Sequence, residues 1–229
     1  AIVDEVVDRA LAEDTRDPHA PRAAWKPGSG TDLTTENAVG ASVRARGRLV
    51  AKERGRLAGL DVFCRVFERC DPGVSIERRA RDGDAIAPRG VLCTLEGRAR
   101  ALLVAERTAL NLIQRMSGTA TLTARYVELL RSAGSRARIL DTRKTTPGLR
   151  ALEKYAVRCG GGENHRFGLY DEVMVKNNHV DLAGRPLVDV LRGIRAAIGP
   201  AVRVTCEARD EAEALAGVAG GADVILLDN

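Results

Sequence analysis

Aromatic residues are scarce in this chain, with three Phe, three Tyr and one Trp among 229 residues. A surface for single-stranded nucleic acid needs rings on which bases can stack, so that class of partner is poorly supplied. No apolar stretch reaches the roughly 20 residues that a membrane-spanning helix requires. The opening AIVDEVVDRALAED instead spreads acidic residues through an amphipathic helical pattern. No C-x-x-C pair is present. Cys64, Cys70, Cys93, Cys159 and Cys206 are odd in number and widely spaced, which reads as free thiols in a reducing compartment. No thiol or histidine cluster suggests zinc, and without a G-x-G-x-x-G fingerprint or a Walker loop, dinucleotide and ATP binding have little support. A cytoplasmic protein, bound to neither nucleic acid nor membrane, is the expectation.

What is present is a chain of 45% hydrophobic residues, enough to bury one large core or a large core with a smaller domain. The formal net charge of +5 fits nucleic acid, a membrane surface or strongly acidic small molecules as partners, and a surplus this small does not decide between them. Periodicity predicts a first helix over Ile2–Ala12, then a turn-rich loop over residues 14–30. From Ala41 the pattern changes to strands, with Arg44, Arg46 and Arg48 on one sheet face, read as a solvated face. A short helix over Val62–Glu68 follows, then turn, strand, turn and strand through RDGDAIAPRGVLCTLEG. A helical tract opens near Arg98, with an end or break at Gly118, and a second helix stops at Gly134. Beyond that, strands at Ile139–Leu140, Val173–Val175, Val202–Cys206 and Val224–Leu227 alternate with helices at Gly148–Val157, Pro186–Ala197 and Asp210–Ala219. The expected architecture is α/β: an α+β domain over residues 1–108, resembling an open-faced sandwich, and a parallel α/β barrel over residues 109–229.

In a parallel barrel the residues just past the strands converge on the active mouth. Here those positions hold Asp141, Arg143 and Lys144, then Lys176, Asn177 and His179, then Glu207, then Asp228. Arginine offers two parallel donors to a carboxylate, whereas lysine is a compact charge suited to phosphate. Glu207 and Asp228 suit ribose hydroxyls or Mg²⁺, which favours one or two carboxylates together with phosphate oxygens. Gly160 reads as a helix C-cap, and the run Gly160–Gly162 could also let the backbone approach a ligand and deliver His165 and Arg166 beside it. His19 and His179 read as structural, and Arg107 as a surface arginine.

The segments AERTALNLIQRMSGTATLT, DTRKTTPGLRALEKYAVRCGGGENHR, VKNNHV and VILLDN, with GTDLTT and RLAGLDV earlier, resemble the quinolinate phosphoribosyltransferases, also called carboxylating nicotinate-nucleotide pyrophosphorylases. The resemblance implies an incomplete barrel of the type II phosphoribosyltransferase kind. It also implies transfer of a phosphoribosyl group from phosphoribosyl pyrophosphate to quinolinate, with loss of pyrophosphate and CO2, giving nicotinate mononucleotide for NAD biosynthesis. By the same resemblance, Arg143, His165, Arg166 and Lys176 hold the quinolinate carboxylates, and Arg107 is lent by the second subunit of a homodimer. Lys144 meets the phosphoribosyl donor, while Glu207 and Asp228 serve its ribose and Mg²⁺. Other acceptors, as in molybdenum-transport-associated homologues or a nicotinate phosphoribosyltransferase, are the alternatives within the fold. A non-enzymatic nucleotide- or RNA-binding protein using the Arg44, Arg46, Arg48 face is the alternative outside it.

Three departures stand out against that family. Asn177 replaces the usual Asp after Lys176, and Thr205 stands where a glutamate often precedes the one matching Glu207. The chain also stops at Asp228-Asn229 where relatives continue, so a C-terminally truncated copy is expected.

Overall fold

The computed structural model describes residues 2–17, 19, 25–26 and 32–228. Much of the loop expected over 14–30, together with Gly30 and Thr31 of the GTDLTT motif, lies outside the described residues. The chain divides into two compact units, Ala1–Asn164 and His165–Asn229.

In the first unit, α1 covers Ile2–Thr15, longer than expected because Thr15 closes a further turn by donating to the Leu11 carbonyl at 2.7 Å. Asp32 then caps α2 (Leu33–Ala38), accepting the Thr35 N–H at 2.9 Å and the Thr35 hydroxyl at 2.6 Å. Strands β1 (Arg44–Val50), β3 (Ser75–Arg78) and β5 (Val91–Arg98) form an antiparallel sheet in the order β1-β5-β3. A two-stranded ribbon pairs β2 (Gly55–Arg56) with β4 (Ala85–Ile86). On β1 the three arginines are exposed, and cross-strand pairing sets Arg46 opposite Glu96, whose carboxylate it meets at 2.9 Å. Leu49 faces the other way and joins Cys93 and Leu95 in the core.

Helix α3 (Leu60–Cys70) turns its buried Val62, Phe63, Val66 and Phe67 into that core. Gly59 starts it at φ 92°, where a Cβ would come within 2.5 Å of the Met116 sulfur. Asp82 accepts both the Gly59 and Leu60 N–H groups at 2.9 Å. The outer face of α3 is tied to α1 by Arg65 with Asp4 at 2.6 Å and Arg69 with Asp8 at 2.6 Å.

The break expected at Gly118 does not occur. Helix α4 runs uninterrupted from Ala99 to Ser132, through residues 108 and 109, because its inward face continues past the glycine. Ala105, Ala109, Leu112, Ile113, Met116, Ala120 and Thr123 recur at helical spacing along it, while Gly118 points outward. The strand expected at Ile139–Leu140 is reduced to one parallel bridge between Leu140 and Glu163. Two apolar residues between Arg138 and Asp141 are too short a run for a ladder. Helix α5 (Arg150–Cys159) closes this unit against α4, burying Leu152 and Ala156.

In the second unit three parallel strands, β6 (Val173–Val175), β7 (Val204–Ala208) and β8 (Val224–Leu227), lie in the order β6-β7-β8. Central β7 is buried along its whole length, as a strand covered on both faces should be. Its Val204 and Cys206 pack with Val175 and with Leu187, Val190 and Leu191 of α7 (Leu187–Ile198). Two short helices complete the unit: α6 (Asn177–Ala183), and α8 (Glu211–Ala219), capped by Asp210, which accepts the Glu213 N–H. All five cysteines are free thiols; only Cys159 escapes full burial.

Gly118→Ala should be neutral or stabilising by about 0.5–1 kcal/mol, since its Cβ meets nothing within 4 Å and alanine suits a helix interior better. A lowered melting temperature in thermal unfolding would contradict the continuous helix.

Candidate active site

The DTRKTT segment is irregular backbone held mainly by α5, with Arg115 of α4 also donating to the Thr146 hydroxyl. Lys154 is 2% exposed, and its ammonium is paired with the Asp141 carboxylate, itself almost fully buried. A lysine is rarely buried unless its charge is matched. Asn164 adds to this pair, with its amide nitrogen donating to Asp141 Oδ2 and to the Lys154 carbonyl, each at 2.9 Å. One residue earlier on α5, Glu153 accepts the Thr146 N–H at 2.9 Å and the Arg115 Nε–H at 2.9 Å. Burial pushes the Glu153 carboxyl up, but the bonds from Arg115 and Thr146 outweigh it and hold the group below the ordinary carboxylate range. A turn earlier, Arg150 Nε donates to the Thr145 hydroxyl at 3.1 Å.

Between these tethers stand Arg143 and Lys144. Arg143 is half-buried and its buried Nε has no hydrogen-bond partner. Lys144 is exposed and borders a cavity of about 240 Å³ that is also lined by Asp141, Thr145, Glu153 and Lys154.

The triple glycine has a structural cause at every position. Gly160 caps α5, and the Gly161 and Gly162 N–H groups return to the Arg158 and Val157 carbonyls at 2.9 and 3.0 Å, the hydrogen-bond pattern of a Schellman motif. Gly161 has φ 86°, a Cβ on Gly160 would lie 2.5 Å from the Ala120 carbonyl oxygen, and one on Gly162 would lie 2.8 Å from Thr123 and Val157. Close packing on α4 explains Gly160 and Gly162, and the left-handed backbone explains Gly161.

In the second unit His165 is held at both ring nitrogens: Nδ1 accepts the Arg166 N–H at 2.8 Å, and Nε2 lies 3.3 Å from Glu172 Oε1. That buried oxygen also accepts the Thr205 hydroxyl at 2.7 Å. Thr205 thus anchors a carboxylate supplied by Glu172. The Arg166 side chain donates to the Glu172 carbonyl at 3.3 Å. Lys176, just past β6, reaches Glu207 of β7, with Nζ 2.6 Å from Oε2. Parallel register explains the meeting, since Val175 pairs with Cys206 and the next residue of each strand is Lys176 or Glu207. Asp228 follows β8, its N–H donating to the Ala208 carbonyl at 3.0 Å, and its side chain is exposed. His179 is structural, accepting the Lys176 N–H on Nδ1 at 2.8 Å.

Residues 32–117 match the family model described as quinolinate phosphoribosyl transferase, N-terminal domain, and residues 119–229 match the corresponding C-terminal domain. The chain belongs to the quinolinate phosphoribosyltransferase family. It is 43% identical over 229 residues to the nicotinate-nucleotide pyrophosphorylase (carboxylating) of Mycobacterium leprae, covering 98% of this chain and 74% of that protein. To the probable enzyme of the same name from Bacillus subtilis it is 44% identical over 198 residues, 86% of this chain and 67% of that one. The crystal structure of NadC from Streptococcus pyogenes superposes with a TM-score of 0.88 at 39% identity, covering 99% of this chain and 75% of that one.

Against the roles expected within this family, the first unit brings Arg143 and Lys144 together, while Arg107 stands exposed on α4 beside a groove of about 670 Å³. The second unit joins Lys176 directly to Glu207, and His165 and Arg166 to Glu172. Sequence reasoning missed Lys154, Glu153, Asn164 and Glu172. A lysine or glutamate on a helix, and a glutamate opening a strand, read as solvated. Only the packing reveals that their charges are turned inward.

Lys154→Met should cost about 3–5 kcal/mol, because it strands the Asp141 charge in the interior; denaturant unfolding measures it. Glu153 also makes stability acid-sensitive. Its folded pKa lies below its unfolded one, so its contribution is complete above the ordinary glutamate value near ~4.3 and is lost as pH falls through the folded value. Glu153→Gln should flatten the acid limb of a stability profile below the ordinary glutamate range.

Proposed function

We propose that this chain transfers the phosphoribosyl group of phosphoribosyl pyrophosphate to the ring nitrogen of quinolinate, releasing pyrophosphate and CO2 and forming nicotinate mononucleotide for NAD biosynthesis. The observation that carries the reading is membership of the family through both of its domain models, over residues 32–117 and 119–229. Within the second unit, the anchoring of Lys176 by Glu207 and of His165 and Arg166 by Glu172 supports it. Arg143, His165, Arg166 and Lys176 bind the two carboxylates of quinolinate, and Lys144 binds the phosphoribosyl donor.

Departure of pyrophosphate leaves positive charge on the sugar, which the carboxylates of Glu207 and Asp228 stabilise electrostatically. Glu207 is paired with Lys176, and the backbone N–H of Asp228 donates to the Ala208 carbonyl, so the two residues stand at neighbouring ends of parallel strands. Two carboxylates with substrate phosphate oxygens are a donor set that suits Mg²⁺, and these residues would hold it. When bound, the ion would neutralise charge on the leaving pyrophosphate. Attachment of ribose makes the pyridine nitrogen cationic. The electron pair released with CO2 then rests on the adjacent ring carbon, which a proton completes. The protein's work in that step is to orient the ring.

A homodimer in which Arg107 is lent to the other subunit's site belongs to the same proposal, and its exposure on α4 supports it. A cytoplasmic location is supported by the five free thiols. The ion pairs of Arg46 and Arg44 with Glu96, at 2.9 and 3.9 Å, count against a nucleic-acid surface there.

The test is release of labelled CO2 from carboxyl-labelled quinolinate with phosphoribosyl pyrophosphate and Mg²⁺. Release in step with pyrophosphate supports the reading; pyrophosphate without CO2 would indicate another acceptor chemistry. Arg143→Ala and Lys176→Ala should leave the fold intact and abolish turnover, weakening quinolinate binding by roughly tenfold to a hundredfold, the worth of a charged hydrogen bond. Undiminished binding in calorimetry would remove these residues from the site.

A further inference from the structure

We propose that the first two turns of α5 act as a clamp that positions Arg143 and Lys144, with Glu153 and Lys154 as the positioning residues. Arg150, Glu153 and Lys154 stand at spacings of three and four, so they share one face of the helix. That face meets the loop at three points: Lys154 grips Asp141, Arg150 meets Thr145, and Glu153 meets the Thr146 N–H. The two cations lie between the outer points.

The loop has little order of its own. No sheet ladder passes through it, and its internal backbone bonds are short returns: Lys144 N–H to the Thr142 hydroxyl at 3.0 Å, Thr145 N–H to the Arg143 carbonyl at 2.9 Å and Leu149 N–H to the Thr146 carbonyl at 3.0 Å. A guanidinium and an ammonium on such a segment would sample many positions, and a displacement of about 1 Å can cost a hundredfold in rate. The tethers are built from buried charge. Lys154 is 2% exposed, and Glu153 is anchored from behind by Arg115 of α4. The polar ends of both are committed to the loop, Lys154 to Asp141 and Glu153 to the Thr146 N–H, so each acts through the backbone that carries Arg143 and Lys144.

The inference rests on the proposed transferase activity, so its test has a readout that does not. The full chain is compared with Glu153→Ala, with Glu153→Gln, and with the double variant Asp141→Leu/Lys154→Met, which removes both charges and leaves no orphan ion. Amide hydrogen exchange over residues 141–149 should quicken about tenfold or more in Glu153→Ala and in the double variant, with β7 unchanged. Their kcat/KM for quinolinate should fall about thirtyfold or more. Glu153→Gln, which still offers an oxygen to the Thr146 N–H, should recover to within about threefold of the parent. Folded variants that keep the parent's exchange over 141–149, or its kcat/KM within about twofold, would overturn the clamp. If the double variant does not fold, Glu153→Ala decides by the same two measurements. Should the parent release no CO2 from quinolinate, the transferase reading fails and exchange alone decides the clamp.

Discussion

Helix α4 is the element on which the rest of the first unit depends, and its constraint is one of size. The neighbours that must reach it meet small residues at the points of closest approach: Ala105 and Ala109 are fully buried in the core shared with α3, and Ala120 lies under the end of α5. Close approach removes apolar surface from water on several elements at once, at about 25 cal/mol for each square ångström. It also requires the partner to be small. Gly59 and Gly160 answer Met116 and Ala120 across the interfaces, and neither could carry a Cβ without displacing what it faces.

Electrostatics then does locally what packing does globally. The DTRKTT loop could not be fixed by apolar contacts, because its working side chains have to remain polar and reachable. Instead its ends are bound to charges already committed to the interior, Lys154 and Glu153, whose desolvation is offset by partners at Asp141 and Arg115. The second unit repeats the device, with Glu172 buried between His165 and Thr205. In both places an inward charge fixes the backbone that bears an outward one.

Much of the architecture was legible because it rests on periodicity. Strands β6 and β8 and the three arginines of β1 lie where alternation and turn signals put them. No break occurs at Gly118 because the cost of one glycine in a helix, about 0.5–1 kcal/mol, is outweighed by the apolar stripe that continues past it. Ile139–Leu140 looked like a strand because two apolar residues beside charges imitate one; pairing with Glu163 could not be seen without the fold. The candidate site was legible in its cations, which stand out against apolar runs. Its supports were not, since burial of Lys154, Glu153 and Glu172 is a property of what packs over them. Thr205 looked like a lost carboxylate, yet here it holds one that sits 33 residues away in the chain.

The uneven burial of the cysteines has a use beyond compartment. Cys64, Cys70, Cys93 and Cys206 are enclosed, while Cys159, at the last turn of α5, is half-buried. Its burial and the nearby Asp82 hold the thiol above its ordinary range, so it stays mostly protonated at neutral pH. A maleimide dye applied under mildly alkaline conditions would therefore find one slow but preferred position. The native chain thus carries its own spectroscopic handle on the helix that grips the DTRKTT loop, without an engineered cysteine.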